Sequence, residues 1–224
     1  MDNNQLTKAI YSRFLISFPL LGAMFFLPAG TLNYWEAWIY LILLMSAALL
    51  LTRYLLKNDP ALLERRMRMR EKAGDQKVIV KFSYFYFTAI FLLPGFDKRF
   101  GWSDAPVWVV LAALVLALTG YLIVIRVFRE NSYASRIVEV EDEQKVIETG
   151  PYAVVRHPMY SGVTLLYIMT PLALGSYWSM IPALLIIPLL VARILSEEKI
   201  LANDLDGYSD YQKKVEYRLI PFVW

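Results

Sequence analysis

The chain has a single histidine, His157, between an arginine and a proline in the run Gly150-Pro151-Tyr152-Ala153-Val154-Val155-Arg156-His157-Pro158-Met159-Tyr160. Gly-Pro-Tyr favours a tight turn, and a residue before proline is driven towards extended geometry, so backbone amides and carbonyls are left for a ligand. The helix expected from about Met159 adds free N–H groups that suit a carboxylate. Tyr152 and Tyr160 can offer ring faces to a cation, a sulfonium included. A second polar knot, Arg193-Ile194-Leu195-Ser196-Glu197-Glu198, follows the uncharged segment Ser161–Ala192. Arg193 and Glu197 share one helical face, where an exposed pair is worth a few tenths of a kcal/mol. At a bilayer edge, however, an ionised group is costly and usually turns to a polar cavity. Glu198 or His157 could also take a proton from an attacking amine. The competing reading is a loop that docks on lipid headgroups through Arg156 and His157.

These two knots meet only if Ser161–Ala192 folds back on itself. As one helix its 32 residues would run about 48 Å, far beyond a hydrocarbon core of about 30 Å. Gly175-Ser176-Tyr177-Trp178 lies at its middle, flanked by Pro171 and Pro182. Glycine breaks the helix and the aromatics suit a headgroup region, so a hairpin of two short spans is expected. Phe14–Leu32, Ala37–Thr52 and Ala105–Ile125 are further long apolar stretches, and Phe82–Phe96 is a shorter aromatic one that Lys81 can lengthen by snorkelling. Hydrophobic residues make up 58% of the 224, which excludes an ordinary soluble domain. An all-α, polytopic integral membrane protein of about six transmembrane helices is expected, five if the last hairpin is re-entrant. The first stretch is too long for a signal-peptide core and reads as a retained span.

Charge orients the arrangement. Of 23 Lys and Arg, all but Lys98 and Arg99 fall on one side, which the positive-inside tendency makes cytoplasmic, both termini included. With no cysteine in the chain, disulfides, thiolate nucleophiles and Cys-based metal sites are excluded. Residues 1–104 read as N-terminal transmembrane helices with a basic loop, 53–81, whose Leu62–Arg70 stretch forms an interfacial helix on anionic lipid or gathers an anionic substrate. Residues 105–224 read as a core with hairpin 161–192 and an amphipathic tail, Leu201, Leu205, Tyr208, Tyr211 or Gln212, and Val215, lying on the membrane or capping the site. Glu130, Glu139, Glu141, Asp142, Glu143 and Glu148 read as a solvated acidic face with no metal-ligand spacing.

Gly-Pro-Tyr-x-x-x-Arg-His-Pro-x-Tyr-x-Gly, a hairpin, Arg-x-x-x-Glu-Glu, and a tail ending Tyr217-Arg218-Leu219-Ile220-Pro221 resemble the isoprenylcysteine carboxyl methyltransferase family, with phospholipid N-methyltransferases as wider kin. The resemblance runs from about Gln144 to Trp224. The N-terminal half is similar to bacterial-type short members alone. It implies S-adenosyl-L-methionine as cofactor, held by Gln144, Lys145, Val146, Ile147, Gly150, Tyr152, Arg156, His157, Pro158, Met159, Tyr160 and Glu197, with Glu197 on its α-amino group. It implies Arg193 directed at a substrate carboxylate; Glu198 is the second reacting-end residue. Gln144 stands where eukaryotic members carry His, and Leu205-Asp206-Gly207-Tyr208 replaces the usual Phe-Gly-x-x-Tyr. The expected partners are membrane lipids and a lipophilic or lipidated acceptor arriving from the bilayer, with no nucleic acid; the expected place is a bacterial or archaeal cytoplasmic membrane, the site facing the cytosol. Sterol-type ene-reductases share the His-Pro-x-Tyr segment, but an NADPH 2′-phosphate wants convergent basic residues where this chain has Glu-Glu. A non-catalytic lipid-binding protein is the remaining alternative.

Overall fold

The computed structural model describes residues 3–67, 74–134, 140 and 144–224, with side chains at 5–66, 86–134, 140 and 144–224. Among the described residues there are helices and turns and no strand. The long helices are α1 (Asn3–Ala29), α2 (Trp35–Asn58), α4 (Gly74–Phe100), α5 (Val107–Glu130), α6 (Pro158–Ala173) and α8 (Ile186–Asp204). Short helices α3 (Pro60–Met67), α7 (Met180–Ala183) and α9 (Tyr208–Lys214) and a 3₁₀ turn over Gly150–Ala153 complete it.

Four segments are long and apolar enough to cross a bilayer: Gln5–Ala29, Trp35–Asn58, Val107–Glu130 and Met180–Asp204. The chain is thus a polytopic, all-α membrane protein. Large apolar side chains such as Leu15, Trp108 and Ile181 are exposed, as lipid-facing positions should be. At 27 residues α4 also has the length of a span. α6, at 16 residues, is about 24 Å long and a few residues short of a full crossing.

The expected hairpin forms. α6 ends at Ala173, and Gly175 takes φ 73, a left-handed conformation that suits glycine. α7 and α8 then return, so that Tyr160 near the start of α6 meets Arg193 and Glu197 late in α8. α6 also runs antiparallel to α5 at very close range. A Cβ at Gly120 would lie 2.6 Å from the Gly162 carbonyl oxygen, and one at Gly162 would lie 2.6 Å from the Gly120 oxygen. Small residues allow such backbone approach in a membrane, where dispersion contacts stand in for the hydrophobic drive.

Buried contacts sort the bundle into two ends. Leu6 and Ile10 of α1, Leu55 of α2, Leu62 and Leu63 of α3, and Val124 and Phe128 of α5 form one cluster, against which Met159 packs. This is the end that carries both polar knots. The hairpin tip lies at the other, where buried Asp97 accepts from Ser103 Oγ at 2.7 Å and Ser176 Oγ at 2.5 Å. Lys98 reaches Glu36 there at 3.2 Å. Helices on either side of residue 104 interlock, since Tyr34, Tyr40 and Phe25 share one core with Val110, Ala113 and Ala173.

The basic loop is shorter than the expected 53–81. α2 continues to Asn58 and α4 begins at Gly74, so Arg53, Lys57 and Lys77 stand on helices. Charged residues at the ends of a span keep a helical backbone while their heads reach water. α3 is a short helix that overlaps the expected one over residues 62–67; Arg65 donates to Ser132 O and Arg66 to Ala134 O, each at 3.2 Å. The side chains of Lys81, Arg68 and Arg70, and all of Glu139, Glu141, Asp142 and Glu143, lie outside the described residues. Of the acidic run's other members, Glu130 accepts from Thr149 at 2.5 Å and Glu148 pairs with Lys214.

Candidate active site

His157 is the N-cap of α6, with Pro158 at the first helical position, where a missing N–H costs nothing. The segment before it does not continue the helix. Instead Arg156 N donates to Tyr217 O at 2.9 Å and His157 N to Arg218 O at 2.8 Å. The amides that the His-Pro junction leaves over are therefore taken by the C-terminal tail, which is secured again by Ser161 Oγ on Leu219 O at 2.5 Å.

Glu198 lies at the centre of this junction. Its Oε1 accepts from Arg156 Nε at 2.7 Å and faces His157 Nε2 at 3.2 Å; its Oε2 accepts from Arg218 Nε at 2.8 Å. Arg156 also donates to Val215 O at 2.7 Å and Glu216 O at 2.9 Å. Arg156, His157 and Glu198 are all buried. Such a cluster joins α6, α8 and the tail, because each buried charge has its partner on another element.

Glu197, one residue earlier, points elsewhere. Its Oε2 accepts from the Tyr160 hydroxyl at 2.6 Å, and that hydroxyl accepts from Arg193 Nε at 2.8 Å. Arg193 and Glu197 are thus bridged by a phenol rather than simply matched along the helix. The Tyr160 ring stacks on His157 with centroids 5.7 Å apart, and His157 Nδ1 lies 3.9 Å from Glu197 Oε1.

This bridge forms one wall of an open cleft. Of the residues expected at a ligand, Gln144, Lys145, Val146, Ile147, Tyr152, Arg156, His157, Pro158, Met159, Tyr160, Arg193 and Glu197 line it. Two are not on the lining. A Cβ at Gly150 would sit 2.7 Å from a Glu130 carboxylate oxygen, so this glycine serves the turn behind the wall. Glu198 is occupied by Arg156, His157 and Arg218, which corrects its expected role: with its oxygens already accepting from those donors, it is poorly placed to receive a substrate proton.

Asn131, Tyr133, Ala134, Leu201, Leu205, Tyr208 and Tyr211 also line the cleft and were not expected as ligand residues. Only the tail members had a sequence signal, their helical spacing. The tail caps the cleft: Tyr211 donates to Tyr152 O at 2.7 Å, and Leu205, Tyr208, Tyr211 and Val215 pack with Val146, Tyr152 and Leu201. Asn131 Nδ2 donates to the Tyr152 hydroxyl at 2.8 Å. Burial pushes the Tyr152 phenol up, against the lowering effect of the Asn131 bond. The Tyr208 phenol is pushed up too, by burial first and then by the charges of Glu198 and Glu197. Both therefore stay neutral across the physiological range.

The cleft offers an acid beside a phenol, an arginine on the same phenol, several ring faces and an apolar cap. That set can hold an amphoteric ligand and a cation. Residues 108–205 match the phospholipid methyltransferase family, a stretch that includes α5 but for its first residue, both polar knots and the hairpin. No curated protein matches the chain.

Proposed function

From the match of residues 108–205 to the phospholipid methyltransferase family, we propose that the chain is an S-adenosylmethionine-dependent methyltransferase of that group acting on a lipophilic acceptor. The observation that carries this reading is the Arg193–Tyr160–Glu197 bridge on a cleft wall, at the end of the bundle where a cytosolic ligand and a bilayer-dissolved one can meet. The donor set fits the cofactor: Glu197 for an ammonium, the Tyr152 and Tyr160 rings for a sulfonium, and the Gln144–Ile147 segment as the facing wall. When bound, S-adenosylmethionine supplies an electrophilic methyl group on an already good leaving group.

The protein's own task is alignment in a dry, charge-compatible pocket rather than acid catalysis. Tyr160 fixes Arg193 and Glu197 relative to each other. The Glu198 cluster holds His157 and the tail in place, and the tail excludes water. Of the side chains able by type to deprotonate an amine, Glu198 and His157 are engaged with each other and Glu197 accepts from the Tyr160 hydroxyl. A carboxylate acceptor is already ionised at pH 7 and needs no base, so this arrangement supports carboxyl O-methylation of an isoprenylcysteine-type lipid, oriented by Arg193. Phospholipid amine methylation is the alternative that the family name itself supports. The cleft faces the cytosol, and the acceptor arrives sideways from the bilayer.

Isothermal titration of S-adenosylmethionine into detergent-purified protein tests the cofactor. Binding is expected, and it should weaken at least tenfold in Glu197→Ala and His157→Ala. Incubation with methyl-labelled cofactor, N-acetyl-S-farnesylcysteine and dioleoylphosphatidylethanolamine, followed by mass spectrometry, tests the acceptor. Label on the carboxyl of the first is expected; label on the amine alone would replace the carboxylate reading.

A further inference from the structure

Two buried side-chain hydroxyls among the described residues have no hydrogen-bond partner, those of Tyr86 and Tyr208. A buried polar group left unpaired is costly, and its removal in favour of an apolar one is often neutral or stabilising. Tyr86 sits in close-packed apolar surroundings between α4, α6 and α8. Tyr208 differs in that it lines the cleft while only 4% of its surface is exposed. Its side chain belongs to the cleft wall, whereas that of Tyr86 does not.

The cleft is graded along α8. Arg193, Glu197 and Leu201 recur every four residues and all line it, so one helical face changes from charged to apolar over about 12 Å. The charged end has Tyr160, His157 and Arg156 beside it. The far end has Val146, Tyr152, Leu205, Tyr208 and Tyr211, packed as one cluster. This apolar end is not a lipid-facing one. It is covered by α9, whose Asp210, Lys213 and Lys214 are exposed, so the helix lies in water and not in hydrocarbon. An apolar, aromatic-walled chamber capped by a water-exposed helix and holding one unpartnered hydroxyl suits a nucleoside better than an acyl or prenyl tail.

We propose that Tyr208 is a nucleoside-binding residue: its hydroxyl hydrogen-bonds the adenosine half of the methyl donor beneath α9, while Glu197 holds the amino-acid half one to two helical turns away. The assignment rests on the cofactor reading above and adds to it the ligand's orientation in the cleft and a residue outside the motif. Tyr208 acts here through binding alone and transfers no group.

The test is isothermal titration of three ligands into the detergent-purified full chain: S-adenosylmethionine, S-adenosylhomocysteine, and 5′-methylthioadenosine, which keeps the nucleoside and lacks the amino acid. Tyr208→Phe removes a single oxygen. It should weaken all three ligands about tenfold, the loss of one hydrogen bond, and leave the melting temperature of the ligand-free protein unchanged or higher. Glu197→Gln should weaken the first two and leave 5′-methylthioadenosine within about twofold. Unchanged 5′-methylthioadenosine affinity in Tyr208→Phe, or no measurable binding of it to the wild type that binds S-adenosylmethionine, would overturn the assignment and leave the methyltransferase reading standing. A lower melting temperature in ligand-free Tyr208→Phe would also overturn it, since the hydroxyl would then serve the fold. Failure of the wild type to bind S-adenosylmethionine at all would remove the cofactor reading itself, and this proposal with it.

Discussion

Glu197 and Glu198 are adjacent in sequence and have opposite duties. Glu198 is buried and binds Arg156, His157 and Arg218; Glu197 is on the cleft wall and binds the Tyr160 hydroxyl. Taking away one member of a buried ionic cluster strands the others, at a cost of about 3 kcal/mol or more. Glu198→Ala is therefore expected to unfold at a markedly lower temperature, with cofactor affinity lost as a consequence of the disordered junction. Glu197→Ala is expected to melt within a few degrees of the wild type and still lose cofactor binding. Thermal unfolding of both variants in detergent, run beside titration of S-adenosylmethionine, separates the two roles; equal melting temperatures would mean that the Glu198 cluster does not hold the tail. The sequence shows that both acids adjoin the bilayer. It does not show which one meets the ligand, because that depends on Arg218, twenty residues away in a tail whose path no periodicity announces.

The hairpin is the element on which the site depends, and it is fastened twice. Along its length, α6 presses on α5 at Gly120 and Gly162, where a Cβ on either would come within 2.6 Å of the other's carbonyl oxygen. Gly162→Ala should destabilise by about 1–3 kcal/mol, the usual cost of overpacking, and reduce cofactor binding in parallel, because His157 and Tyr160 move with α6. Gly22→Ala is the internal control: its nearest neighbour to a new Cβ is 3.7 Å away, so a neutral or slightly favourable effect on melting temperature is expected. At its tip, the hairpin is tied by Ser176 to Asp97 of α4. Asp97→Ala should raise hydrogen exchange of the 174–179 backbone and leave exchange at 156–160, at the other end of the bundle, close to that of the wild type. Exchange that rises equally at both ends would mean that the bundle opens as a unit. These elements were legible to different degrees. Charge-free length and a central Gly-Ser-Tyr-Trp announce the hairpin, since a single helix of that length fits no bilayer. The ends of α2 and α4 were not legible, because Arg53, Lys57 and Lys77 stay helical beyond the apolar window. The Gly120–Gly162 contact is a pairing of two glycines that each look incidental alone. The cleft's motif residues could be found from the chain, whereas Asn131, Tyr133 and Ala134 enter it only because α5 ends beside the start of α6.

At the scale of the whole molecule, the distribution of charge and the position of the cleft make one statement. The end of the bundle that gathers the start of α1, the end of α2, α3 and the tail is the end that holds the cleft and most of the basic residues among those described. Lys98 and Arg99 stand at the opposite end with Asp97, Glu36 and the hairpin tip. If the positive-inside tendency operates, the cleft must open to the cytosol, where a soluble cofactor is made. A chain without cysteine permits a direct test, since any introduced thiol is the sole target of a maleimide. Lys213→Cys on α9 and Asp104→Cys before α5 occupy exposed or part-exposed positions at opposite ends. In intact cells a membrane-impermeant maleimide should label Asp104→Cys and spare Lys213→Cys until the membrane is permeabilised. The reverse pattern would put the cleft on the outer face, away from cytosolic cofactor, and would contradict the cytosol-fed cofactor route. Labelling of both in intact cells would mean that the chain crosses the bilayer an even number of times between residues 104 and 213, which α5 followed by a twice-crossing hairpin forbids. The hairpin's return and the cleft's access to cofactor therefore stand or fall on the same measurement.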